Sequence, residues 1–210
     1  MTTGGEPAID RESASRFVTG IVLAGGRSSR FGSDKLVALV DGRPLIHHSI
    51  RAVAAVAERI VVVAALGAEL PLPDDLETRI TVIHDPEPFG GPLVGLAAAL
   101  GALDTAVALV VGGDMPWMVP SVLRRLIGAL EPPRRAVVLE VPGRFQPLPM
   151  ALEVAPGLAT SRLVLARGER SLRDLLFELG SASIPAPVWL ALDPAGATIT
   201  DIDRPSDLRS

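Results

Sequence analysis

The chain has 210 residues, of which 48% are hydrophobic and 21% are charged, with 20 Lys+Arg against 24 Asp+Glu. This length and apolar content suit one well-buried core and exclude a disordered protein. The formal net charge of −4 argues against a general nucleic-acid surface, and the lack of cysteine excludes disulfides, thiolate metal sites and cysteine nucleophiles.

The first part of the chain predicts a strand, a loop and a helix in sequence. Residues 1–16 are polar and acidic, unlike a signal peptide, and we interpret them as a flexible tail. Residues 17–23 form a short apolar run that stops at glycines, as a buried parallel strand does before a phosphate-sized turn. Residues 44–57 then show helical spacing of apolar positions, and residues 59–64 predict a second buried strand.

The middle of the chain continues the alternation. Residues 81–83 predict a strand that ends at His84 and Asp85, and residues 93–103 predict a helix. Residues 106–111 predict a strand and residues 119–130 an amphipathic helix. Apolar content is high here, but repeated glycines and prolines argue against a membrane span, and we expect no contact with a membrane.

The remainder predicts a strand at 136–140, a further segment at 146–152, two helices and a final strand at 197–202. Strands alternating with helices predict the α/β class, with a three-layer α/β/α sandwich on a mostly parallel, Rossmann-like sheet. Ligands of such sheets bind outside the carboxyl ends of the strands. We expect residues 17–210 to form a single domain.

A Gly-rich loop at residues 23–35 follows the first predicted strand. Its backbone N–H groups, with Arg27, Arg30 and Lys35, can hold a polyphosphate. The glycine spacing fits neither the P-loop pattern nor the dinucleotide-binding fingerprint. Lys35 is unusual because the chain has nineteen arginines and this single lysine.

The loop sequence LAGGRSSRFGSDK resembles the signature of the nucleotidyltransferase family that includes the molybdenum cofactor guanylyltransferases, LAGG-x-S-x-R-M-G-x-D-K, and departs from it only at Phe31. Later segments resemble further family motifs in the same order, over residues 18 to about 208. These segments are Asp85 with Gly91-Pro92-Leu93-Val94-Gly95, Gly113-Asp114-Met115-Pro116, Gln146-Pro147-Leu148, Gly168-Glu169-Arg170-Ser171-Leu172, and Asp201-Ile202-Asp203-Arg204-Pro205. The family has asparagines at the positions of Asp201 and Asp203.

The resemblance implies the nucleotidyltransferase fold and transfer of a nucleoside monophosphate from a nucleoside triphosphate to an acceptor phosphate, with release of pyrophosphate. The LAGG and GPL segments favour GTP, and the implied acceptor is molybdopterin. Mg²⁺ is the implied cofactor. The implied catalytic residues are Arg30, Lys35 and Asp114, and the implied nucleotide-binding residues are Leu23, Ala24, Gly25, Gly26, Lys35, Asp85 and Asp114.

One of these positions, Asp85, also has a chemical argument. The carboxylate of Asp85 can accept both the N1–H and the N2–H of guanine, a pattern that cytosine does not offer. Gln146 and Arg170 are candidates to bind the acceptor. Both roles are expectations from the resemblance and from side-chain chemistry.

Asp114 has a physical argument of its own, because it directly follows an apolar predicted strand and so lies at the carboxyl edge of the sheet. Mg²⁺ is usually held by one or two carboxylates together with substrate phosphates. Alternation along the predicted final strand places Asp201 and Asp203 on one face. We hypothesise that Asp203 is a second metal ligand, and the choice between Asp201 and Asp203 stays open.

Other functions remain open from the sequence. A related cytidylyltransferase or a sugar-phosphate nucleotidyltransferase would use the same loop, and a nucleotide-binding carrier or regulatory module would bind without catalysis. We expect a cytoplasmic protein. The resemblance also suggests transient contact with other cofactor-biosynthesis or molybdoenzyme-maturation proteins.

Overall fold

The computed structural model describes residues 17–25, 35–87 and 90–207. The predicted tail at residues 1–16 therefore lies outside the described residues. The same holds for Gly26, Arg27 and Arg30 of the Gly-rich loop.

Nine strands and six helices lie within the described ranges. The strands are β1 (Val18–Ala24), β2 (Leu39–Val40), β3 (Arg43–Pro44), β4 (Arg59–Ala64), β5 (Arg79–His84), β6 (Val107–Gly112), β7 (Ala136–Leu139), β8 (Met150–Glu153) and β9 (Ala182–Ile184). The helices are α1 (Leu45–Ala54), α2 (Pro92–Gly101), α3 (Pro120–Ala129), α4 (Val154–Ala166), α5 (Leu172–Glu178) and α6 (Ala186–Leu190).

Seven of the strands form one sheet in the order β5-β4-β1-β6-β8-β7-β9, while β2 and β3 form a separate small hairpin. Only β8 runs antiparallel to its neighbours in the seven-stranded sheet. The carboxyl ends of the other six strands therefore lie at one edge, which we call the carboxyl edge, and the opposite edge is the amino edge. The prediction of a mostly parallel sheet is confirmed.

The strand order reverses between β1 and β6. From β1 the chain continues outward through β4 to β5, and α2 then returns it to β6 on the other side of β1. Such a switch point opens a crevice at the carboxyl edge. The two strand ends are in direct contact, because Gly113 N donates to Leu23 O at 2.9 Å.

Helices cover both faces of the sheet, which confirms the three-layer prediction. Residues of α1 and α3 share one apolar cluster with Val22, Val62 and Leu109 of the sheet. Residues of α2, α4 and α5 share a second cluster with residues of the opposite face, including Ile21 and Val110. β6 is buried along its whole length, which explains its uninterrupted apolar sequence.

The predicted final strand at 197–202 is wrong. Residues Ala197–Ile199 form a short 3₁₀ turn, and the chain beyond it is irregular. Local turn chemistry replaces strand pairing, because Gly196 has a φ of 64° and Thr198 N donates to Asp193 Oδ2 at 2.7 Å. β9 and α6, which flank Pro185, are not among the predicted elements.

Several element bounds also differ from the predictions. The segment predicted at 146–152 contributes a strand only from Met150, after Pro149, because a proline lacks the N–H that a ladder requires.

Among the described residues, no helix combines the length and the apolar character needed to cross a membrane.

Candidate active site

An ion pair between Lys35 and Asp114 lies at the switch point. Lys35, the last residue of the Gly-rich loop, begins a 3₁₀ turn, and Asp114 follows β6 by two residues. The Lys35 Nζ atom donates to Asp114 Oδ2 at 2.7 Å, and the two side chains are 17% and 27% exposed. The pair is therefore held at the distance of a charge-assisted hydrogen bond and is partly shielded from water.

Two glycines leave the space that the Asp114 carboxylate and its backbone occupy. A Cβ at Gly112 would lie 2.5 Å from Asp114 Oδ1, so this carboxylate position requires glycine. A Cβ at Gly113 would lie 3.3 Å from Leu23 O, where the ends of β1 and β6 meet. The following residue is fixed as well, since Ser49 Oγ of α1 donates to Met115 O at 3.1 Å.

The C-terminal segment joins the pair from the other side. Ile202 N donates to Asp114 O at 3.0 Å, and the Ile202 side chain is buried. Beyond it, Asp203 N and Arg204 N both donate to Asp207 Oδ2, at 3.0 and 2.8 Å. These bonds fix the segment against the carboxyl edge.

This docking brings three carboxylates together. Asp114, Asp201 and Asp203 each offer an oxygen within 4.8 Å of the others, and we call these residues the acidic cluster. Lys35 Nζ also donates to Ile202 O at 3.0 Å and lies 3.5 Å from Asp203 Oδ1. One ammonium group thus faces three carboxylates.

The electrostatics follow from burial and from this charge excess. Burial lowers the pKa of Lys35, but the hydrogen bond and charge of Asp114, together with Asp203, outweigh it, so the pKa is raised and the ammonium stays charged. Partial burial of Asp201, with the charges of Asp114 and Asp203, raises the pKa of that carboxyl. Its own backbone hydrogen bond and Lys35 offset part of the rise.

The acidic cluster fits a hard divalent cation. All of its donors are carboxylate oxygens, which Mg²⁺ prefers, and no soft ligand is among them. Asp114 with either Asp201 or Asp203 supplies the one or two carboxylates that such an ion usually takes from a protein. The ligand roles of Asp114 and Asp203 stay predictions.

Asp85 lies at the same edge but away from the cluster. It follows β5, its N donates to Ala64 O at 2.8 Å, and its Oδ1 accepts from Glu87 N at 3.1 Å. Because β5 is two strands from β1, Asp85 is about 10 Å from the end of β1. A Cβ at Gly95 would approach Asp85 Oδ2 to 3.6 Å, so α2 borders this carboxylate closely.

The predicted acceptor residues lie in different surroundings. Gln146 precedes β8, whose first residue Met150 pairs with Val110 near the carboxyl end of β6. The Arg170 guanidinium instead donates to Leu165 O at 3.0 Å and Glu169 O at 3.1 Å, around the end of α4. Arg170 O accepts from Leu93 N at 3.4 Å and so contacts the start of α2.

Sequence reasoning missed two contributors to the site. The Ile202 carbonyl binds Lys35, and no sequence signal marks a backbone oxygen for this purpose. Gly112 could have been found from the sequence, since a glycine two residues before an aspartate at a strand end indicates that the carboxylate approaches the backbone closely.

Comparison with known proteins places the chain in a family. The family model of the MobA-like NTP transferase domain matches residues 20–182. A probable molybdenum cofactor guanylyltransferase of Chloroflexus aggregans is 32% identical over 202 residues, covering 92% of each chain. A molybdenum cofactor guanylyltransferase of Xanthomonas euvesicatoria is 34% identical over 158 residues, covering 75% of each.

Solved structures show the same fold at lower identity. The molybdopterin-guanine dinucleotide biosynthesis protein A of Archaeoglobus fulgidus superposes with a TM-score of 0.73 at 21% identity, covering 90% of this chain and 94% of that one. The 2-C-methyl-D-erythritol 4-phosphate cytidylyltransferase of Thermus thermophilus superposes with a TM-score of 0.66 at 19% identity, covering 90% and 94%. This chain is therefore a nucleotidyltransferase that belongs to the MobA-like NTP transferase family.

Proposed function

We propose that this chain transfers GMP from GTP to the phosphate of molybdopterin and releases pyrophosphate, with Mg²⁺ as cofactor. The names of relatives that align with most of the chain support the substrates. The observation that carries the proposal is the half-buried Lys35–Asp114 pair beside two further carboxylates at the β1/β6 switch point. Cationic and metal-binding groups converge where a triphosphate would lie.

The chemistry needs few protein functional groups. An oxygen of the acceptor phosphate attacks the α-phosphorus of GTP, and the bond from that phosphorus to the bridging oxygen breaks. The electron pair leaves with pyrophosphate. Because the acceptor phosphate is already ionised near neutral pH, no general base is needed, and catalysis depends on alignment and charge compensation.

The residues of the switch point would supply both the alignment and the charge compensation. Lys35 and the backbone after β1 bind the phosphates, with Arg30 of the same loop as a further proposed cation. Asp114, with Asp201 or Asp203, would hold Mg²⁺, which when bound offsets phosphate charge and orients the α-phosphate. Gly112 and the Ile202 carbonyl fix the positions of Asp114 and Lys35 before substrate binds.

The two substrates would approach the cluster from opposite sides. Asp85, two strands away from β1, would accept the N1–H and N2–H of guanine while the phosphates reach the switch point. Gln146 precedes β8, which pairs with β6 on the side away from Asp85, and the acceptor would bind there. The reacting phosphates then meet at Asp114.

A coupled pyrophosphate assay tests the proposal. The full chain is mixed with Mg²⁺, one nucleotide (GTP or CTP) and one acceptor (molybdopterin or a sugar phosphate). We expect pyrophosphate and the dinucleotide product only from GTP with molybdopterin. Release from CTP alone would contradict the base assignment, and a requirement for sugar phosphate would contradict the acceptor.

A further inference from the structure

The Lys35 ammonium group contacts two carboxylates of the acidic cluster and a neighbouring backbone carbonyl. Its Nζ atom contacts Asp114 Oδ2 at 2.7 Å, Ile202 O at 3.0 Å and Asp203 Oδ1 at 3.5 Å. These contacts come from the end of β6 and from the C-terminal segment. All three partner atoms are oxygens with negative or partial negative charge.

A divalent cation at Asp114 and the ammonium group of Lys35 would compete for the same carboxylate. Both cations would then lie within a few ångströms of each other, and like charges at that distance repel strongly where water is partly excluded. The Lys35 side chain is only 17% exposed, so screening by solvent is limited. Metal binding without movement of Lys35 is therefore disfavoured.

We propose that Lys35 is the resident cation of the acidic cluster, held there by Asp203 and the Ile202 carbonyl, and that a divalent cation binds tightly only when a triphosphate draws Lys35 away. In this proposal Asp203 is a positioning residue for Lys35. The inference rests on the proposed function in one respect, namely that a nucleoside triphosphate supplies the competing phosphate oxygens.

This proposal predicts that binding of the divalent cation and binding of the nucleotide are coupled. The phosphates provide Lys35 with new anionic partners, and Asp114 is then free to bind the metal that accompanies them. Such coupling is reciprocal, so the metal tightens nucleotide binding by the same factor. The long, flexible lysine side chain suits a group that exchanges partners, whereas a planar guanidinium is less suited to it.

Binding of Mn²⁺ to the full chain, followed by electron paramagnetic resonance of the free ion, tests this inference. The wild-type protein is compared with Lys35→Met, and Arg59→Met serves as a matched control that removes a cation from an exposed ion pair at the amino edge. Without nucleotide, we expect Lys35→Met to bind Mn²⁺ about tenfold more tightly than wild type. The control should bind as wild type does.

A non-hydrolysable GTP analogue provides the second comparison. It should tighten Mn²⁺ binding to the wild-type protein, and by a clearly smaller factor in Lys35→Met, because no resident cation remains to be displaced. Unchanged or weaker Mn²⁺ binding by Lys35→Met, or no Mn²⁺ binding by either protein, would overturn the inference. Thermal melts confirm folding, and Lys35→Gln replaces the variant if Lys35→Met does not fold.

The outcome is separable from that of the proposed function. Mn²⁺ binding without nucleotide depends only on Lys35 and the carboxylates, not on turnover. If wild type failed to release pyrophosphate from GTP while Lys35→Met bound Mn²⁺ more tightly, the proposed function would be contradicted and the role of Lys35 as resident cation would be supported.

Discussion

The two edges of the central sheet each carry an ion pair, but in different settings. At the carboxyl edge, the Lys35 and Asp114 side chains are 17% and 27% exposed. At the amino edge, Arg59 and Asp104 are 54% and 76% exposed, with contacts of 3.0 and 3.1 Å. A cavity of about 560 Å³ lies beside Asp104, between the ends of α2 and α4.

The two pairs differ in their balance of charge. The amino-edge pair balances one charge with one charge in water, and such pairs contribute little. The carboxyl-edge pair lies beside two more carboxylates, which leaves an excess of negative charge over the single ammonium group of Lys35. Its members also come from three distant parts of the chain, which only the fold brings together.

Removing the carboxylate of each pair should give the largest contrast. Asp114→Asn is expected to lower kcat/KM for pyrophosphate release by about a thousandfold, because the proposed metal ligand and the partner of Lys35 are lost together. Asp104→Asn makes the same chemical change at the amino edge and should alter kcat/KM by less than about twofold. Comparable losses in both variants would contradict the assignment of the carboxyl edge.

Exchanging the type of cation should have the next largest effect. Lys35→Arg keeps the charge but places a planar guanidinium among the partners of a compact ammonium, so we expect turnover to fall about tenfold to a hundredfold. Arg59→Lys, the reverse exchange at the amino edge, is expected to leave the steady-state rate with GTP unchanged. Full activity of Lys35→Arg would mean that any cation serves at this position.

A change at Gly112 tests how firmly Asp114 must be positioned. A methyl group there would lie 2.5 Å from Asp114 Oδ1, so Gly112→Ala should displace the carboxylate and lower kcat by about tenfold. A Cβ at Gly128 of α3 meets no atom within 4 Å, and Gly128→Ala should be as active as wild type. Equal activity of the two variants would show that the turn tolerates the displacement.

The smallest effect is expected from breaking the amino-edge pair. Arg59→Gln should lower the free energy of unfolding by about 0.5 kcal/mol or less, and added salt should reduce the difference further. Urea unfolding of wild type and Arg59→Gln at two salt concentrations measures this difference in the free energy of unfolding. A loss of several kcal/mol would contradict the interpretation of Arg59 and Asp104 as a weak surface pair.

The sequence predicted the parts of the fold that depend on local patterns. β1, β4 and β6 are continuous apolar runs because both of their faces are covered, and α1 to α3 begin near prolines and follow helical spacing. The predicted final strand failed because the turn at Gly196 and the Asp193 carboxylate override β propensity.

The acidic cluster was only partly predictable. The position of Asp114 followed from its place after an apolar strand. The predicted final strand placed Asp201 and Asp203 on one face, but the segment is irregular and is joined to Asp114 by a backbone hydrogen bond from Ile202. That bond joins residues far apart in the chain, and local sequence patterns carry no information about it.

A crystal structure with a non-hydrolysable GTP analogue and Mn²⁺ tests the central claim most directly. We predict an anomalous Mn²⁺ peak about 2.2 Å from an Asp114 oxygen, with the triphosphate at the β1/β6 switch point and Lys35 turned toward it. A nucleotide bound in the amino-edge cavity, or a metal away from Asp114, would contradict the account.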